Sequence, residues 1–147
     1  MVVAGGFGAT ADTCPTSRMD FTSSVELLAH GAHKWVGGPD LPFKAARMGM
    51  AALNGRVYCA GGFDGSAPLR SVVSLDPRTR SWMSEPWMSL RRSYLGLVAV
   101  GPSLVALGGF NGERFSDTVE VWDTRMGAWR VGPPLPSARA YMGAVAF

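Results

Sequence analysis

The chain has 147 residues, 47% of them hydrophobic and 17% charged, with a net charge of +3. That is the length of one domain with enough apolar material for a core, which argues against disorder, and the charge is too small to specify a polyanionic partner. No apolar stretch approaches the roughly 20 residues of a membrane span and no basic region precedes an apolar run at the N-terminus, so neither a membrane partner nor a secretory leader is expected.

Taken from the N-terminus, the first predicted element is the short apolar run at residues 2–4, which ends at Gly5-Gly6. Gly6-x-Gly8-x-x-Ala11 then satisfies the dinucleotide pattern G-x-G-x-x-[G/A]. A phosphate loop needs one glycine-rich turn feeding one helix, whose N–H groups meet the pyrophosphate. Here Gly5-Gly6-Phe7 recurs as Gly61-Gly62-Phe63 and Gly108-Gly109-Phe110, no copy is followed by a helical apolar period, and Pro15 falls where a helix would make its second turn. The nucleotide reading fails.

The glycines belong instead to a repeat. Trp35, Trp82 and Trp129 stand 47 residues apart, as do Gly49, Gly96 and Gly143. The second and third glycine pairs keep that spacing, whereas the first lies nine residues further from its tryptophan, so repeat one carries an insertion after Phe7. Beyond it, "VELLAHGAHKW", "VVSLDPRTRSW" and "VEVWDTRMGAW" align without a gap. Repeat two reads as four strands. "MGMAAL" runs to Asn54-Gly55, a strong hairpin signal; "VYCA" stops at Gly61-Gly62, where a close backbone approach or a positive φ is expected; "VVSL" leads to an Asp76-Pro77 turn; and "SWMS" closes the unit. The first two strands are apolar nearly throughout, as suits strands covered on both faces, so neighbouring units must pack on the sheet.

A strand ending in Gly-Gly, a V-x-V-[aromatic]-D strand and a tryptophan, repeated at a period near 50, resemble the kelch repeat. "NGRVYCAGGFDG…SVVSLDPRTRSW" and "SLVALGGFNG…DTVEVWDTRMGAW" carry the pattern, while repeat one departs from it at Ala29 and in its insertion. The resemblance implies an all-β fold: a kelch-type β-propeller of about three blades, each of four antiparallel strands. Repeat one spans about 1–43 and lacks its first strand, repeat two about 44–90, repeat three about 91–137, and about 138–147 supplies the first strand of a further blade. Propellers close with roughly four to eight blades, so three leave open strand edges. The chain is therefore expected to be part of a larger propeller, or half of a six-bladed ring made by two copies, the first being favoured.

Little in the sequence suits catalysis. His30 and His33 have metal-ligand spacing but align with the turn before the outermost strand and lack a third ligand, so no metal site is expected. Some kelch-like propellers are copper oxidases that use tyrosine, histidine and a cysteine crosslink. Tyr58, Tyr94 and Tyr141 have no histidine partner by alignment, and no cofactor is expected. Trp35, Trp82, Trp129 and Cys59 read as core, and Cys14 as an unremarkable loop thiol. The two cysteines lie in unlike contexts, so no disulfide is expected and a cytoplasmic location is the default.

The connection into each first strand is more informative. Arginine supplies twelve of the fourteen basic residues, and its planar fork suits carboxylates. No basic run exceeds Arg91-Arg92, so a nucleic-acid partner is not expected. In "LRRSYLG" and "SARAYMG", Arg92 and Arg139 share one offset and Tyr94 and Tyr141 another; in "FKAARMG" the same offsets hold Ala45 and Arg47. The resemblance places this connection on the face around the channel mouth, where peptides bind. It implies partner-binding roles for Arg92 and Arg139 and, more weakly, for Arg91, Ser93, Tyr94, Tyr141 and Arg47. The alternative is that the arginines brace neighbouring blades, and the sequence leaves the two open. The expected function is a non-catalytic protein-interaction module that binds an acidic peptide or loop, as a substrate adaptor of a ubiquitin ligase or a cytoskeletal scaffold. The alternative class is a kelch-fold metal-dependent oxidase or lyase with its site in the channel.

Overall fold

The computed structural model describes residues 1–8 and 20–147. Cys14, Ala11, Pro15 and most of the repeat-one insertion lie outside the described residues. The described residues form three antiparallel sheets, a two-stranded ribbon and no helix.

The first sheet joins β1 (Val2–Ala4) to β4 (Val25–Leu27) and β5 (Val36–Gly37). The ribbon pairs β2 (Phe7–Gly8) with β3 (Asp20–Phe21) at the base of the insertion. The second sheet runs in the order β6 (Gly49–Leu53), β7 (Arg56–Ala60), β8 (Val72–Asp76), β9 (Ser81–Glu85). The third repeats it with β10 (Gly96–Val100), β11 (Ser103–Leu107), β12 (Val119–Asp123) and β13 (Arg130–Gly132). These are propeller blades, two complete and one lacking its first strand.

Local chemistry sets each turn. Asn54 and Gly55 both have positive φ, as a two-residue hairpin between Leu53 and Arg56 requires. After β8 the Asp76 carboxylate accepts the Arg78 N–H at 2.9 Å, closing the turn into β9. Asp64 and Asn111 do the same for the loops after the glycine pairs, each accepting two backbone N–H groups.

The glycine pairs are where one blade receives the next. Gly61 has φ +63, and a Cβ there would collide with the carbonyl oxygen of Arg92. The N–H of Gly62 donates to that same oxygen at 2.8 Å. Gly6 meets Ala45 and Gly109 meets Arg139 in the same way, at 2.8 and 2.9 Å. The repeated Gly-Gly is thus a docking point for the following blade's lead-in segment, which a side chain would block.

The blades stack face to face. Between the first and second lie Ala4, Val25, Leu41, Cys59 and Val73; between the second and third lie Tyr58, Val72, Met88, Leu97, Leu104 and Trp122. The deepest strand of the middle blade is its third, β8, buried along its whole length, rather than the first two that the apolar pattern favours. Its Ser74 is fully buried but satisfied, accepting from Arg56 at 2.8 Å and donating to Glu85 at 2.6 Å. In the two complete blades the outer tryptophan ties its blade to the one before: Nε1 of Trp82 donates to the Pro39 carbonyl at 2.9 Å, and Nε1 of Trp129 to that of Pro86 at 2.8 Å.

Residues 138–147, expected as the first strand of a further blade, form no strand. The segment follows the path of such a strand, with Tyr141 donating to the Tyr94 carbonyl at 3.0 Å and Ala144 lying against Gly96. What it lacks among the described residues is a hairpin partner of the kind that β7 gives β6, and a ladder needs two strands.

Candidate functional site

Arg92 sits just before β10 and is 1% exposed. One of its Nη atoms donates to the carbonyls of Gly108 (2.7 Å) and Thr118 (2.8 Å); the other donates to the Thr118 hydroxyl (2.8 Å) and to Glu120 Oε1 (2.9 Å). Glu120, on β12, is 2% exposed and also accepts from the hydroxyl and N–H of Ser89. Burial alone pushes the Glu120 carboxyl up, but the Ser89 bonds and Arg92 outweigh it and hold the group below the usual range. Arg92 is therefore a brace inside its blade, with its fork fully engaged, which matches the second of the two readings that the sequence left open. Ser93 is likewise buried, its hydroxyl directed to the Phe110 carbonyl.

A signal for this brace stood in the alignment. In the middle blade the offsets of Arg92 and Glu120 hold Ala45 and Val73, both buried. Ser89, whose N–H serves Glu120, aligns with Pro42, which has no N–H to offer. Arginine and glutamate are absent together from the middle blade, because a buried charge left alone is costly.

The remaining candidates come to one end of the blades. Arg47, Tyr94 and Tyr141, at one repeat offset, all have positive φ (63°, 55° and 58°), uncommon for residues other than glycine. Their backbones form a ladder across successive blades: Tyr94 donates to the Arg47 carbonyl at 2.8 Å, and Tyr141 to that of Tyr94 at 3.0 Å. The side chains follow. The Arg47 guanidinium lies 4.6 Å from the Tyr94 ring centroid and 5.2 Å from that of Phe63, and the Tyr94 and Tyr141 rings stack at 3.6 Å. Phe115 extends the row, edge-on to Tyr141 and Phe110. Phe63 and Phe110 were missed at sequence level as part of this row, although each immediately follows a glycine pair. The bridges Ala46–Phe63 and Ser93–Phe110 bring those loops beside the lead-in segments.

Arg91 and Arg139 are exposed at the same end. Arg91 donates to the Pro68 carbonyl at 3.2 Å, and Arg139 folds back on its neighbour Ser137 at 2.6 Å. The face thus offers a strip of aromatic rings with guanidinium groups beside it, suited to gripping a chain that is part apolar and part anionic.

The other singled-out residues lie elsewhere. His30 and His33 are exposed on the turn between β4 and β5. Among the described residues no group of three or more histidine, cysteine or acidic side chains is placed to hold a metal ion, and no helix is long and apolar enough to cross a membrane. Cys59 is in the core, and burial pushes its thiol up to about 12.

Comparison with known proteins agrees with this architecture. Over 54 residues the chain is 32% identical to Kelch-like protein 8 of Mus musculus, a stretch that covers 37% of this chain and 9% of that protein. The chain thus matches only a small part of its relative's length. The kelch motif itself matches residues 44–89 and 91–136, the two complete blades. With both full repeats so matched, and an incomplete third blade built to the same plan, the chain belongs to the kelch-repeat family.

Proposed function

We propose that this kelch-repeat chain is a non-catalytic protein-interaction module, and that it binds an acidic peptide or loop of its partner along the strip formed by Arg47, Tyr94 and Tyr141. The observation that carries the reading is the placement of Arg47. Its guanidinium is held over two aromatic rings at the end of a continuous aromatic row, so a carboxylate reaching it meets a pre-positioned cation whose ordering cost is already met by packing. Arg91 and Arg139 flank the row and supply further cations. Arg92 and Ser93 take no direct part; they hold the segment that presents Tyr94. Adaptor work for a ubiquitin ligase, or scaffolding on the cytoskeleton, are roles that such a face would serve and that the kelch resemblance implies.

Fluorescence-anisotropy titration with short labelled peptides rich in Asp, Glu and Leu, against counterparts with Asn and Gln, tests the reading. Saturable binding of the acidic set is expected, weakened at least tenfold by R47A and lost in R47A/Y94A. Equal binding of neutral and acidic peptides, or indifference to R47A, would overturn it.

A further inference from the structure

Residues 86–95 run across the end of the blades, from the last strand of the middle blade, β9, to the first strand of the next, β10. One end of this connection carries Tyr94 and the aromatic strip. The other carries Trp87, which is 60% exposed. The Arg70 guanidinium lies 5.1 Å from the Trp87 ring centroid. Both residues belong to the middle blade, which has a neighbour packed on each face.

The blade plan does not require this pair. In all three repeats one backbone bond closes the same corner: the N–H of Leu41 donates to the Ser23 carbonyl at 2.8 Å, that of Met88 to Arg70 at 3.0 Å and that of Leu135 to Asp117 at 2.7 Å. The side chains on that frame differ. Where the middle blade has Arg70 and Trp87, repeat one has Ser23 and Asp40, and repeat three has Asp117 and Pro134. The corner thus forms without a guanidinium or an indole. Its packing comes from Met88, which is 1% exposed.

Trp87 is nevertheless held firmly. On one side the Pro86 carbonyl accepts from Nε1 of Trp129 at 2.8 Å, and on the other Met88 is anchored in the core. The ring is positioned before anything binds, which lowers the ordering cost of a contact. Leu90, three residues on, is 43% exposed and is followed by the exposed Arg91. Among the described residues no ion pair reaches Arg70 or Arg91. The carboxylates at this corner are engaged elsewhere: Glu85 accepts from Ser74 at 2.6 Å, and Glu120, which accepts the Ser89 N–H, is buried against Arg92. Two apolar side chains beside two cations without counter-charges complement a segment that is itself apolar and acidic, and tryptophan and arginine are the side chains that most often dominate such contacts.

We infer that Trp87, Arg70 and Leu90 form a second docking point, separate from the strip at Tyr94, for an acidic segment of a protein partner that carries an aliphatic side chain. The aliphatic group covers the Trp87 ring, a flanking carboxylate pairs with the Arg70 guanidinium, and Arg91 receives a second carboxylate. Because Trp87 and Tyr94 stand at the two ends of one connection, a partner bound at one raises its effective concentration at the other.

Fluorine NMR on the full chain labelled with 5-fluorotryptophan tests this. The chain has five tryptophans, and W87F identifies the Trp87 resonance. The probes are an acetylated peptide of Asp, Glu and Leu and its Asn and Gln counterpart. The acidic peptide is expected to shift the Trp87 resonance saturably, with the response kept in R47A/Y94A and weakened at least tenfold in R70E. R70Q, which removes the charge without reversing it, is expected to weaken it less. The other four tryptophan resonances report the fold of every variant. A Trp87 resonance that the acidic peptide leaves in place, that answers the neutral peptide equally, or that is indifferent to R70E and R70Q overturns the docking point. Loss of the response in R47A/Y94A overturns its independence of the strip, whereas failure of the strip alone leaves the Trp87 response intact.

Discussion

Replacing Arg92 and Glu120 by the residues that the middle blade uses at the same offsets, alanine and valine, gives a sharp test of the brace. The two side chains are 1% and 2% exposed and meet at 2.9 Å. E120V strands the guanidinium among two carbonyls and a hydroxyl, and removing one member of a buried pair typically costs about 3–5 kcal/mol. R92A leaves the carboxylate with Ser89 and the Leu90 N–H and no counter-charge, and takes a donor from the Gly108 carbonyl, a loss of similar size. The double variant R92A/E120V removes both charges, as Ala45 and Val73 do in the middle blade, and is expected to be no worse than the poorer single. The coupling between the sites then equals at least the smaller single loss, about 3 kcal/mol or more. Urea unfolding at one fixed protein concentration, with m compared across the set, reads this directly. Additive losses, or an E120V protein within about 1 kcal/mol of the parent, would refute the claim that the pair acts as a unit.

The same pair predicts a pH dependence. The Glu120 carboxyl sits below its unfolded value, so its contribution is present above about pH 4.3 and is lost as pH falls through the folded value. Asp123, pulled down to about 2 first by its side-chain bonds to Arg125, acts in the same direction at lower pH. Stability of the parent should therefore fall below about pH 4 more steeply than that of R92A/E120V; parallel curves would count against the assignment. At the docking glycines, G61A should cost clearly more than G55A. Both residues have positive φ, about 1 kcal/mol of strain for alanine, but only at Gly61 does the new Cβ strike backbone. Equal losses in thermal unfolding would mean that the Gly-Gly pair serves the turn alone.

Much of this architecture is local and was therefore readable in one dimension. The two complete blades share one strand register and one spacing, so Asn54-Gly55, the glycine pairs and the tryptophans mark hairpin, docking point and seam. The repetition also exposed the dinucleotide pattern at Gly6 as chance. What spacing cannot show is which way a side chain faces. Arg92 and Tyr94 are two residues apart on one lead-in segment, yet one turns into the blade to meet Glu120 while the other turns out to stack on Tyr141. That division follows from the positive φ at Arg47, Tyr94 and Tyr141 and from a glutamate 28 residues away in sequence, neither of which a single segment reveals. The sequence by itself determined the blade and its period, because these rest on backbone hydrogen bonds and short-range turns. The tertiary structure alone decided which arginine braces and which stands among the rings, because that depends on charges brought together by packing.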